Sequence, residues 1–116
     1  MTLDEIVRRV RELVNDAEVN GARFSGETIH RFAVQAVRQL RRICPTERYG
    51  ESGQIEDDLP STDNLLATMD LRFSERHEEA VIMYIAYLLY RLDDSDTVNA
   101  SLAETYRQRA EALMQL

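Results

Sequence analysis

The chain has 116 residues, 44% of them hydrophobic, which suits one domain with its own core and argues against a disordered polymer. Its formal net charge of −7 disfavours a general nucleic-acid binder, which neutralises phosphates with basic side chains. The single cysteine, Cys44, has no internal disulfide partner and fits a reducing compartment, and Asp4 and Glu5 near the start leave no apolar signal core.

The first predicted helix opens with Thr2 and Glu5 at capping-box spacing. Leu3, Ile6, Val7, Val10, Leu13, Val14 and Ala17 then recur at three- and four-residue steps as one apolar stripe. Gly21 and Gly26 bracket a short connection. Ser25 is placed to cap a second helix, whose inner face is Ile29, Phe32, Ala33, Ala36, Val37, Leu40 and Ile43. Pro45 ends it, because a residue before proline is driven away from helical angles.

From Thr46 to about Asp70 helical periodicity is absent. All fourteen basic residues of the chain are arginines, and their distribution is uneven. Residues 1–44 carry a net +2 and residues 71–116 a net −3, whereas residues 45–70 set seven acids against Arg48 alone. The expectation is a long acidic loop over about 46–70, solvated or ordered against a partner. The spacing of Ile55, Leu59, Leu65, Leu66 and Met69 admits a short β-hairpin within it.

A third helix is expected from about Ser74 to Leu92, with Glu75, Glu78 and Glu79 at its positive pole and Arg91 near the other. Its stretch AVIMYIAYLLY is apolar on every side, which predicts burial all round, as a central helix or at an interface. At eleven residues it is too short to span a bilayer, which takes about 20. The acidic turn at 93–96 leads to a fourth helix from about Thr97, with Leu102, Ala103, Tyr106, Ala110, Leu113 and Met114 on one side. The predicted architecture is a single all-α, four-helix domain spanning 1–116, with one long excursion between its second and third helices.

Chemistry is hard to find by residue type and spacing. His77 beside Glu78 and Glu79 does not define an ion site, since adjacent helical residues point apart, so an exposed helix-end histidine is expected. Cys44 at a helix C-terminus lacks the positive pole that would activate a thiol and reads as a small apolar residue. Glu56, Asp57 and Asp58 lack the alternating oxygens and central glycine of a calcium loop. No phosphate loop or nucleophile elbow occurs. No catalytic, cofactor-binding or metal residue is expected, and the protein is read as a non-enzyme.

Two surfaces remain as candidate interfaces. On the second helix Arg31, Gln35, Arg38 and Arg42 follow at helical steps, with Arg41 alongside, forming either a solvated face, an ion-pairing surface or a nucleic-acid contact. On the third, Tyr84, Tyr87 and Tyr90 share a broad face, and tyrosine suits an interface because its apolar ring carries a hydroxyl in need of a partner.

The order of segments resembles the head–tail connector (adaptor) proteins of tailed bacteriophages. The likeness runs through LDEIVRRVRELVND, TIHRFAVQAVRQL ending near CP, a polar loop containing DDLP, MDLRFSERHEEAVIMYIAYLLYRLDDSD, and the closing NASLAETYRQRAEAL. Relatives often carry a tryptophan entering the second helix, where this chain offers Phe24 or Phe32. The resemblance implies a structural virion protein made in the bacterial cytoplasm and built into the head–tail junction. Its partners would be the portal, a tail or neck protein, and copies of itself in a ring, commonly twelvefold, with genomic DNA passing through unbound by sequence. The arginine face and the acidic loop with Glu56, Asp57 and Asp58 would be the opposite-sign patches that a head-to-tail ring requires. Two other classes compete: a small DNA-binding helical regulator reading DNA with its second helix, and a soluble helical partner of the antitoxin or chaperone type docking through the tyrosine helix.

Overall fold

A computed structural model describes residues 1–14, 24–48, 69–92 and 97–116. They form four helices, α1 (Leu3–Val14), α2 (Gly26–Ile43), α3 (Glu78–Leu92) and α4 (Thr97–Met114), with 3₁₀ turns at Pro45–Arg48 and Glu75–His77. The all-α, four-helix architecture is the one expected from periodicity.

In α1 the stripe is buried at Leu3, Ile6, Val10 and Val14, while Leu13 lies at its edge, 36% exposed. The Glu5 N–H donates to Thr2 Oγ1 at 3.2 Å, half of the anticipated capping box. Thr2 also faces Asp70 in a one-residue antiparallel bridge, in which Leu3 N–H reaches Met69 O and Leu71 N–H reaches Met1 O, both at 2.9 Å. The bridge carries Leu71 into the core, where it is 1% exposed. Met69 therefore pairs with the start of the chain, and the remaining residues of the anticipated hairpin lie outside the described residues.

Ser25 caps α2 as expected: its backbone is extended, and its hydroxyl accepts the Thr28 N–H at 3.1 Å. The buried face of α2 includes Ile29, Ala33, Ala36, Val37 and Leu40 and gains Val34. The helix closes at Cys44, whose N–H bonds to Leu40 O at 2.7 Å. Pro45 then opens a 3₁₀ turn, held by Glu47 N–H to Cys44 O at 3.0 Å. A proline suits that first position because its missing N–H would have no partner there.

Helix α3 packs against α1, α2 and α4, which accounts for its apolar circumference. Ala80, Val81, Ile82, Ile85, Ala86, Leu88, Leu89 and Tyr90 are buried along it. Full burial of each large aliphatic chain contributes about 1.5–3 kcal/mol. Helix α4 lies chiefly on α3, with Ala103, Ala110 and Met114 inward. No described helix is long and apolar enough to cross a membrane.

Candidate functional site

The arginine face of α2 is open. Arg31, Gln35, Arg38 and Arg42 are all exposed, as their four- and three-residue steps along one side of a helix require. Arg42 donates to Gln39 Oε1 at 3.3 Å, and none of Arg31, Arg38 and Arg42 forms an ion pair among the described residues. Arg41 departs from expectation. It stands seven residues after Val34 and four after Val37, on the inward stripe, and is only 9% exposed. It belongs to the packed side of α2.

The tyrosines divide in the same way. Tyr90 is 8% exposed and stacks on Tyr106 of α4, so it is engaged within the domain. Tyr84 and Tyr87 are half-buried and meet edge to face, 5.2 Å between ring centroids at 69°. The Arg91 guanidinium lies 5.3 Å from the Tyr87 ring centroid, and its Nη1–H donates to the Tyr87 hydroxyl at 3.0 Å. Burial raises the Tyr84 hydroxyl pKa, Tyr87 and Glu111 push it the same way, and Arg91 and Arg42 oppose them. Nearby on α4, Arg107 pairs with Glu104, and with Glu111 at 3.0 Å. Glu56, Asp57 and Asp58, the expected acidic counterpart, lie outside the described residues.

A second cluster was not anticipated. His77 is fully buried, in contrast to the exposed helix-end histidine that the sequence suggests. Its Nδ1 lies 2.6 Å from Glu47 Oε1, and the Ser74 N–H donates to Glu47 Oε2 at 2.8 Å. Glu47, counted at sequence level in the acidic loop, is instead a 6% exposed side chain at the end of α2. Burial works to raise its pKa, but hydrogen bonds from Ser74 and His77 and the charge of His77 outweigh it and hold the carboxyl below its ordinary value. Half-buried Cys44 completes the group, with Sγ 3.2 Å from Thr46 Oγ1. One ligating atom each from Cys44, Glu47 and His77 lies within 4.8 Å of the other two. His77 Nε2 is buried without a hydrogen-bond partner.

A faint sequence signal existed for His77. It precedes Ala80, Val81 and Tyr84 by three, four and seven residues, the spacing of a buried stripe. Nothing in the sequence linked it to Glu47, thirty residues away.

These features define an all-α domain with an open arginine face on α2, an aromatic pair on α3 and a small buried polar cluster. Comparison with protein-family models, curated proteins and solved structures finds no match to the chain.

Proposed function

We propose that the protein is a structural, non-enzymatic adaptor of a tailed-phage head–tail junction, docking into a ring beneath the portal through the arginine face of α2 and the tyrosine pair of α3. The observation that carries this reading is the open face of Arg31, Arg38 and Arg42 on α2, together with the half-buried Tyr84–Tyr87 pair and Arg91 on α3. Arginine and tyrosine are the residues that interfaces concentrate, since both bring broad contact area and directional donors. The order of helices and their resemblance to connector proteins support the same reading. In a head-to-tail ring this surface meets a different, acidic patch on the neighbouring copy, and residues 49–68, with five acids and no base, supply the required sign. The surplus of acids suits a channel through which DNA slides without being held.

The test is electron microscopy of the protein mixed with its portal, comparing the native chain with an Arg38→Glu/Arg42→Glu variant. The native chain is expected to form rings on the portal, and the variant to remain folded and unassembled. A folded variant that still forms rings, or a native chain that never does, overturns the proposal.

A further inference from the structure

The Cys44–Glu47–His77 cluster plays no part in the arginine face or the tyrosine pair, and its chemistry points elsewhere. We propose that Cys44, Glu47 and His77 bind one divalent transition-metal ion of the zinc class, tying the end of α2 to the start of α3. Three kinds of donor are gathered within 4.8 Å: a thiol, a carboxylate and an imidazole. Sulfur and nitrogen donors select zinc-like ions over magnesium or calcium, which prefer all-oxygen shells. A thiolate and a carboxylate balance a 2+ ion, so the loaded site is neutral, as a buried site should be.

The supporting shell is already in place. Ser74 N–H fixes the far oxygen of Glu47, as outer hydrogen bonds orient ligands in metal sites. His77 is wholly enclosed and holds its Nδ1 against Glu47, so the imidazole is fixed in place before an ion arrives. Access is from the side of Cys44, which is half-buried, and Thr46, which is exposed. Three protein ligands leave a fourth position for water.

His77 Nδ1 and Glu47 Oε1, 2.6 Å apart, are at hydrogen-bond distance. Two ligands of one tetrahedral ion stand roughly 3.4 Å apart, so loading opens the pair by less than about 1 Å. Loading releases to solvent the thiol proton and the proton shared by His77 Nδ1 and Glu47 Oε1, which makes binding tighter as pH rises.

The test is titration of the full chain with Co²⁺ and Zn²⁺. One Co²⁺ per chain should bind with a near-ultraviolet thiolate-to-metal charge-transfer band. Zinc at a hundredfold excess over its Kd should raise the unfolding midpoint by roughly 10 °C. Cys44→Ala, at a half-buried position outside the Glu47–Ser74 bond, should stay helical by circular dichroism, lose the band and weaken zinc binding at least tenfold. Neutralising Glu56, Asp57 and Asp58 to amides should change neither. A folded chain with no saturable one-to-one binding overturns the proposal, as does a Cys44→Ala variant with unchanged band and affinity, or binding abolished by the three amides. Ring assembly is not read in any arm, so this outcome is separate from that of the adaptor proposal.

Discussion

Tyr90 and Tyr106 lie ring over ring, centroids 5.8 Å apart and planes 4° from parallel, joining the end of α3 to the middle of α4. Such a pair is worth about 0.5–1.5 kcal/mol beyond the area it buries. Tyr106→Ala removes the stack together with a half-buried ring, and a loss of about 2–3 kcal/mol is expected in urea unfolding. Tyr106→Leu, which keeps much of the apolar area, should recover part of it. A loss below about 0.5 kcal/mol in Tyr106→Ala would show that α4 is not held by this contact.

Glu47 gives a pH dependence with a definite sign. Its folded pKa is below the ordinary value of 4.5, so its contribution is complete above that value and is lost as pH falls through the folded pKa. At pH 7, Glu47→Gln should cost about 2 kcal/mol, the range for hydrogen bonds to a buried charge. The gap between native and variant chains should narrow steadily below about pH 4.5, since the native carboxyl then becomes neutral too. Chemical denaturation at a series of pH values reads this directly. A gap that stays constant down to pH 2 would mean that the charge of Glu47 contributes nothing.

Adjacent arginines on α2 should behave oppositely. Arg42→Glu, on the exposed face, is expected to change stability by no more than about 0.5 kcal/mol. Arg41→Glu, on the inward stripe, should cost about 3 kcal/mol or more, because it puts an acid in an enclosed position built around a guanidinium. Thermal melts of the two single variants decide the matter, and equal midpoints would refute the division of the helix into packed and open sides.

Ser25 is a further independent check. Loss of its hydroxyl in Ser25→Ala leaves the Thr28 N–H without its cap and should cost about 1 kcal/mol, whereas Ser25→Gly should cost only a few tenths of a kcal/mol more or less than the native chain. Denaturant midpoints that fail to separate the two variants would count against the cap.

The helices were legible because each writes its burial into its own spacing. Leu3, Ile6, Val10 and Val14 in α1 repeat at three- and four-residue steps, and those are the side chains that water does not reach. Ser25 and Pro45 were equally readable, since capping and proline geometry act within a few residues of backbone. Arg41 was misplaced because its charge suggested the surface, although its register with Val34 and Val37 put it inside. The Glu47–His77 pair was invisible for a different reason: it forms only when the end of α2 and the start of α3 meet, and no local pattern records that meeting. The open arginines Arg31, Arg38 and Arg42 were found from spacing alone, because a helix repeats its outward face every three or four residues.

Because α4 rests chiefly on α3 and touches α2 only lightly, a single main interface ties it to the domain. Native-state hydrogen exchange should therefore proceed in two tiers. Amides of α4 acquire deuterium through detachment of that helix alone, while those of α2 and α3 around Ile85 and Leu89 wait for the whole domain to open. A partner that grips α4 therefore bears on α3 through that one interface, and one that displaces it uncovers the apolar side of α3.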